Sequence, residues 1–282
     1  MFYDKESDFE DDLVAVLKRH GWTDGVLEYP TEQDLISNWA NILFDNNKGI
    51  DRLNGQRLTK GEMAQILEQI ETLRTPLALN SFINGKTVSI KRDNPKDEAH
   101  YGKEISLKIY DRQEIAAGQS RYQIARQPMY PAKNKMLNDR RGDVCLLING
   151  MPVIHIELKK SGIPISQATN QIAKYAHEGV FTGLFRLVQV FVAMNPDDAV
   201  YFANPGEGDF NSNYFFHWAD FNNEPIAANK HVGQDEWKRF ASDLLSIPMA
   251  HQLIGFYTVA DSADGCLKVL RSYQYQAVNA IS

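Results

Sequence analysis

The sequence has little cysteine and no long apolar run. Its 282 residues include two cysteines, Cys145 and Cys266, which excludes a disulfide framework and a cysteine-rich zinc site. No run approaches the roughly 18 apolar residues that cross a bilayer. The first residues lack the basic-then-apolar pattern of a secretory signal. A reducing compartment is the default for such cysteine usage, so we expect a cytoplasmic protein with no membrane partner.

The chain also lacks an excess of positive charge. Its formal net charge is −6, so the whole-chain balance does not indicate nucleic-acid binding. Phosphate contacts depend on local charge, however, and Asp139 is the only acid in residues 121–141. This segment fits either a DNA-binding surface or an ordinary solvated one. The candidate phosphate-binding residues are Arg121, Arg126, Lys133, Lys135, Arg140 and Arg141.

Internal repeats and low-complexity tracts are absent, and the hydrophobic fraction of 43% is that of an ordinary globular domain. Apolar residues at helical spacing come first, and shorter extended segments follow from about residue 82. A further helix at about 165–178 precedes an apolar run at 187–193, typical of a strand buried on both faces. This order predicts an α/β or α+β fold with a central mixed sheet flanked by helices.

Residues 141–160 predict a β-hairpin that carries charged chemistry. Asp143 opens the first strand, and Glu157 and Lys159 lie near the end of the second. Alternate strand residues share a face, so Glu157 and Lys159 point the same way. Two carboxylates suit Mg²⁺, which lowers the pKa of a bound water, and the lysine could position that water. The alternative is an acid at a strand start and an unrelated surface Glu-x-Lys pair.

The hairpin turn decides whether the two carboxylates meet. A regular two-residue turn at Asn149-Gly150 would place Asp143 opposite Ile156 and send Asp143 and Glu157 to different faces. An odd-length loop or a β-bulge would bring them to the same face. Because Pro152 has no N–H for the strand ladder, we predict the longer loop.

Other residues are candidates for the same site. Gln171 and Tyr175 are four apart and project from one face of the predicted helix. They could bind a phosphate or orient Lys159, or be a surface glutamine and a half-buried tyrosine. Glu10 is a possible additional acid from the first helix, although a capping box with Ser7 also explains it. His155 shares the face of Glu157 and is expected to be a packed or hydrogen-bonded histidine.

The last residues carry a different signal. Residues 271–281 resemble the adenine-reading segment before the first motor domain of superfamily 2 helicases. A glutamine amide pairs with both the donor and the acceptor on adenine, so Gln276 and Gln274 are nucleotide-binding candidates, unless they are surface residues. No Gly-x-x-x-x-Gly-Lys-Ser/Thr loop is present, so we expect no ATPase in this chain, which looks truncated at the entrance to a motor.

Together these residues resemble the N-terminal nuclease region of the restriction (R) subunit of type I restriction-modification enzymes. The resemblance implies a PD-(D/E)xK nuclease fold of the RecB-like type over residues 1–245. Residues 246–282 would be a linker and the start of a truncated superfamily 2 helicase-like motor domain. Gly142 stands where the family pattern has proline. The matching motifs are Gly142-Asp143, Asn149–Pro152, Glu157-Leu-Lys159, Gln171-x-x-x-Tyr175 and the Tyr-Gln-Ala-Val at 275–278.

The resemblance also implies roles. Asp143, Glu157 and Lys159 would form the active site, with Mg²⁺ on the two carboxylates, and Gln171 and Tyr175 would belong to the associated Gln-x-x-x-Tyr motif. The partners would be duplex DNA and the methylation and specificity subunits, and ATP would act only in the full-length subunit. The alternatives are a non-catalytic DNA- or subunit-docking module, and a nuclease of this fold acting in repair or on RNA.

Overall fold

The computed structural model describes residues 2–114, 120–131, 140–206, 208–228, 235–261 and 266–281. The helices are α1 (Glu6–Arg19), α2 (Glu32–Asn47), α3 (Lys60–Thr72), α4 (Pro76–Asn84), α5 (Ile165–His177), α6 (Glu236–Leu244), α7 (Met249–Gly255) and α8 (Ser272–Ile281), with 3₁₀ turns at Gly183–Leu187 and Ser212–Tyr214.

A six-stranded mixed sheet, in the order β1-β4-β7-β8-β9-β10, forms the centre of the fold. Its β1–β4 and β8–β9 pairs are parallel and the others antiparallel, which confirms the predicted central mixed sheet flanked by helices. The strands are β1 (Val26–Glu28), β2 (Thr87–Lys91), β3 (Glu104–Lys108), β4 (Tyr122–Arg126), β5 (Met129–Tyr130), β6 (Arg140–Arg141), β7 (Val144–Ile148), β8 (Met151–Leu158), β9 (Val190–Met194), β10 (Ala199–Ala203), β11 (Thr258–Ala260) and β12 (Leu267–Val269).

Local signals in the sequence set several helix starts. Thr31 caps α2 and Thr59 caps α3, each in a reciprocal capping box with the residue three positions on. Pro76 begins α4, because its fixed φ suits the first helical turn. The expected Ser7–Glu10 capping box of α1 is wrong. The helix begins earlier, with Lys5 as its N-cap and no side-chain cap, so Glu10 lies inside it and is buried.

The sheet separates two apolar layers. On one face, α5 packs Ala168 and Ile172 against Phe191 and Ala193 of β9. On the other face, the inward residues of β8 join a larger cluster that includes residues of α1, α2 and α6. Glu157 lies beside Ala193 in the parallel β8–β9 register, so its side chain points to the α5 face. This places a carboxylate beneath a helix, next to an apolar layer.

The segment after residue 245 packs against the same core. Met249, Leu253 and Ile254 of α7 belong to the larger apolar cluster, and the Trp22 Nε1–H donates to the Leu245 carbonyl at 2.6 Å. The domain boundary at 245/246 stays a prediction, and α7 packs against the core formed by the residues before it.

Candidate active site

The β7–β8 hairpin contains both a tight turn and a bulge. Asn149 and Gly150 form the two-residue turn with positive φ values of 52° and 83°, which is the geometry that Asn-Gly favours. Leu147 then pairs with Pro152, but Leu146 pairs with Ile154. Val153 is thus the extra residue of a β-bulge. The predicted longer loop is wrong, and its alternative, the bulge, is what the chain uses.

The bulge brings Asp143 and Glu157 to the same place on the sheet. Val144 pairs with Ile156, so the next residue outward on each strand is Asp143 and Glu157. The Asp143 side chain accepts a hydrogen bond from the Leu158 N–H at 2.7 Å, which ends the ladder there. Burial, followed by the nearby Glu157 charge, raises the pKa of Asp143 well above its usual value.

Glu157 is fully buried, with Lys159 beside it. The Lys159 Nζ lies 3.5 Å from Glu157 Oε1 and donates to the Leu158 carbonyl at 2.7 Å. Within the described part of the chain, neither carboxylate oxygen of Glu157 has a hydrogen-bond partner. Burial raises the pKa of Glu157 to about 7, against the lowering effect of the ammonium. A buried carboxylate with free oxygens is a site that a cation would stabilise.

A second acid reaches Lys159 from α1. Glu6 Oε2 lies 3.4 Å from Lys159 Nζ, and its charge also raises the pKa values of Asp143 and Glu157. The sequence pattern predicts Glu10 as the additional acid and does not indicate Glu6. The only signal for Glu6 is its place in the first turn of a helix, and helical spacing alone does not show which end of α1 meets the hairpin.

Glu10 lies one turn further along α1 and is engaged by other groups. Its two oxygens accept hydrogen bonds from Arg126 Nε at 2.7 Å and from Gln127 Nε2 at 3.1 Å. The Gln127 backbone N–H in turn donates to the Asp143 carbonyl at 2.7 Å. The structure therefore connects Glu10 to the site through the backbone of Asp143.

Gln171 and Tyr175 act together on the strand that leads into Asp143. Gln171 Nε2 donates to the Tyr175 hydroxyl at 2.8 Å, and that hydroxyl donates to the Arg141 carbonyl at 2.9 Å. Tyr175 is buried at 7% exposure, and burial raises the pKa of its hydroxyl to about 12. The pair from α5 thus fixes the backbone two residues before Asp143.

Several of the predicted DNA-binding residues are neutralised by acids. Arg121 lies 3.2 Å from Asp24. Arg126 pairs with Asp11 as well as Glu10, each at 2.7 Å. Arg140 makes two hydrogen bonds to Glu178, at 2.9 and 3.0 Å.

Arg141 has a different environment. It is exposed and pairs with no carboxylate among the described residues, and its guanidinium lies 5.5 Å from the Tyr29 ring centroid. The candidates Lys133 and Lys135 lie outside the described residues. Among the described candidates, Arg141 is the one most available to a phosphate.

The two adenine-reading candidates lie on α8. Gln274 Oε1 accepts a hydrogen bond from the Arg271 N–H at 2.9 Å at the start of the helix. Gln274 also lines a cavity of about 450 Å³ with Phe202, Phe210 and Phe215. Gln276 is half-buried. Neither placement tests nucleotide binding, so both residues stay predictions.

The two carboxylates suit a hard divalent cation that takes some of its ligands from water. They do not suit a metal ion that takes all of its ligands from the protein. Across the described ranges, no group of three or more histidine, cysteine, aspartate or glutamate side chains could hold a metal ion. Mg²⁺ commonly takes one or two carboxylates and completes its shell with water and substrate phosphate. Asp143 and Glu157, with the free oxygens of Glu157, match that need. Structural zinc, which takes four protein ligands, does not fit.

No helix in the described ranges has the length and apolar character needed to cross a membrane.

This chain is similar to subunits of type I restriction enzymes. The family described as type I restriction enzyme R protein N terminus matches residues 6–210. The endonuclease subunit of type I restriction enzyme SsaAORF53P of Staphylococcus saprophyticus is 30% identical over 285 residues, and that of SauCOLORF180P of Staphylococcus aureus is 27% identical over 281. Each alignment covers all of this chain and 27% of the relative, so the chain spans about a quarter of their length.

A shorter relative aligns over most of its length. The endonuclease subunit of type I restriction enzyme EcoprrI of Escherichia coli is 29% identical over 276 residues, which cover 92% of this chain and 81% of the relative. The family match extends from the first turn of α1 to just beyond β10, so it contains the whole central sheet. The chain belongs to the family of type I restriction enzyme R protein N-terminal regions.

Proposed function

We propose that this chain is the DNA-cleaving domain of a type I restriction enzyme R subunit, a Mg²⁺-dependent endonuclease of the PD-(D/E)xK type. The observation that carries the proposal is the bulge at Val153, which brings Asp143 and Glu157 to one face. Among the described residues, neither Glu157 oxygen accepts a hydrogen bond. The endonuclease names of the relatives support it.

The residues divide the chemistry among them. Asp143 and Glu157 would hold Mg²⁺, which supplies charge neutralisation and a more acidic bound water. Lys159, held by the Leu158 carbonyl and by two acids, orients the attacking water and offsets the negative charge that develops on the phosphate. Because the site is buried, these fixed charges act more strongly than they would in water.

The acidic site repels the phosphates of DNA, and the positive charge of Arg141 would offset this repulsion. The residue is exposed, stacked near Tyr29, and two positions before Asp143. Phosphate contacts of the kind proposed for Arg141 carry no sequence information, and we propose that the domain cleaves duplex DNA without its own sequence specificity. The methylation and specificity subunits would supply recognition, and ATP would act in the full-length subunit in the cytoplasm.

Replacing the lysine should separate cleavage from assembly. We expect Lys159→Met and Asp143→Asn, in the full-length subunit assembled with its partners, to slow DNA cleavage by about 100-fold or more. Lys159→Met removes the positive charge that acts on the reacting phosphate, and Asp143→Asn removes a proposed ligand of Mg²⁺. Lys160→Met is the matched control, since Lys160 is exposed and donates to the Asp4 carbonyl.

Cleavage of supercoiled duplex DNA, single-stranded DNA and RNA would be measured together with assembly by gel filtration. Normal cleavage by both variants would refute the site assignment. Equal cleavage of RNA by the parent would point to a different substrate class.

Stability should depend on pH through Glu157. Its pKa is about 7 in the folded chain against 4.5 for the ordinary group, so the folded state binds the proton more tightly. The stabilisation is complete below about pH 4.5 and is lost as the pH rises through 7, by about 3 kcal/mol. The raised pKa of Asp143 acts in the same direction. Glu157→Gln lacks the Glu157 part of this loss.

Urea unfolding at pH 5 and pH 8, with EDTA or with Mg²⁺, measures this effect. At pH 8 in EDTA, Glu157→Gln should be more stable than the parent, and Mg²⁺ should stabilise the parent but not the variant. Parallel pH profiles for the two proteins would show that Glu157 does not carry the raised pKa.

DNA affinity should depend on Arg141 more than on its neighbour. Arg141→Gln should weaken binding of duplex DNA and lower the slope of log K against log salt by about 0.9, the value for one phosphate contact. Arg140→Gln is the matched control, because Glu178 already neutralises Arg140. Fluorescence anisotropy at several salt concentrations measures both quantities. A larger slope change for Arg140→Gln would place the DNA on the other side of β6.

A further inference from the structure

A tyrosine and a histidine are buried directly behind the two carboxylates. Tyr130 of β5 and His155 of β8 are both at 0% exposure. The Tyr130 hydroxyl lies 2.7 Å from His155 Nδ1, and His155 Nε2 lies 3.4 Å from Glu157 Oε2. These two contacts connect the β5–β6 ladder to the Glu157 carboxylate.

The direction of the hydrogen bonds follows from the carboxylate at the end of the line. If His155 carried its proton on Nδ1, the lone pair of Nε2 would face a carboxylate oxygen, which is repulsive. With the Tyr130 hydroxyl donating to Nδ1, the proton stays on Nε2 and faces Glu157 Oε2. The hydrogen bond at one ring nitrogen thereby sets what the other nitrogen offers.

Packing alone does not explain these two residues. Phenylalanine rings surround them, with Phe185 at 4.5 Å from the Tyr130 centroid and Phe181 at 5.4 Å from that of His155. A phenylalanine at either position would fill the space without burying polar atoms, which destabilises a fold unless the atoms are paired. Within the described residues, His155 Nε2 has no completed hydrogen bond, and Glu157 Oε2 lies 3.4 Å from it.

The same pair also packs closely against the backbone next to Asp143, the other carboxylate. A Cβ at Gly142, the residue before Asp143, would lie 2.6 Å from the Tyr130 hydroxyl and 2.7 Å from His155 Cε1. The pair thus contacts the chain at both acids, and it occupies the space that the proline of the family pattern would need.

We propose that Tyr130 and His155 are positioning residues that hold the Glu157 carboxylate in the orientation in which it accepts a metal ion. The His155 Nε2–H points to Glu157 Oε2, and Lys159 lies beside Glu157 Oε1. The Tyr130 hydroxyl holds the imidazole through its Nδ1. The carboxylate plane is then set before any ion arrives. This inference rests on the proposed metal-dependent function and concerns how the site is prepared for the ion. Partners behind a metal ligand typically change metal affinity by 10- to 100-fold.

The decisive variant is Tyr130→Phe, which removes one hydroxyl and keeps the ring. Electron paramagnetic resonance of the free ion measures Mn²⁺ binding to the chain. This measurement does not depend on DNA cleavage. We expect Tyr130→Phe to bind Mn²⁺ roughly tenfold more weakly than the parent. His155→Phe, which keeps a ring but loses both nitrogens, should weaken binding at least as much.

The chain provides a matched control in a second buried tyrosine–histidine pair. The Tyr122 hydroxyl lies 2.9 Å from His251 Nδ1, and His251 Nε2 faces the Asp111 carbonyl at 3.1 Å instead of a site carboxylate. Tyr122→Phe removes the same kind of hydrogen bond and should leave Mn²⁺ affinity unchanged. Urea unfolding of each variant separates loss of stability from loss of affinity.

The outcomes distinguish the two levels of the proposal. If the parent binds Mn²⁺ and Glu157→Gln abolishes that binding, but Tyr130→Phe binds like the parent, the positioning role is wrong while the metal site stands. An equal loss in Tyr122→Phe would also overturn it, since the effect would then be general. If the parent itself shows no saturable binding that depends on Glu157, the metal site and the positioning role both fail.

Discussion

The register of one hairpin determines whether Asp143 and Glu157 lie together on the sheet. Side chains alternate along a strand, so a shift of one residue moves every side chain to the other face. The Asn149-Gly150 turn by itself would separate the two carboxylates, and the extra residue Val153 reverses that outcome. The contacts from Gln171, Tyr175, Gln127 and Glu10 all hold the backbone near Asp143, and they are useful only because the bulge has placed Glu157 opposite.

Burial sets the electrostatics of the two carboxylates. Asp143 and Glu157 have raised pKa values because the surrounding layers exclude water, and an ionised carboxylate there is destabilising without a cation. The ammonium of Lys159 only partly offsets this, since it also serves Glu6. The fold is therefore strained electrostatically at neutral pH in the absence of a metal ion. The large apolar core around the central sheet offsets the unfavourable free energy of these buried carboxylates.

Much of the arrangement could be predicted from the sequence. The mixed sheet, the capping boxes at Thr31 and Thr59, and the hairpin at residues 141–160 follow from local periodicity and turn chemistry. The predicted longer loop is wrong. Pro152 favours such a loop because it has no N–H, but the chain forms the tight turn and inserts Val153 as a bulge directly after Pro152. Glu6 was missed, and the acids facing Arg121, Arg126 and Arg140 were not foreseen, because these contacts join segments far apart in sequence. Only the packing of α1, α5 and the sheet determines them.

Gly142 lies so close to Tyr130 and His155 that the residue types allowed at these three positions depend on one another. A Cβ at 142 would meet the rings of both Tyr130 and His155 at less than 3 Å, so a side chain there requires both rings to shift or become smaller. Residues 130, 142 and 155 should therefore change as a set among relatives. A proline at 142 would mark proteins that hold the glutamate at the position of Glu157 in some other way.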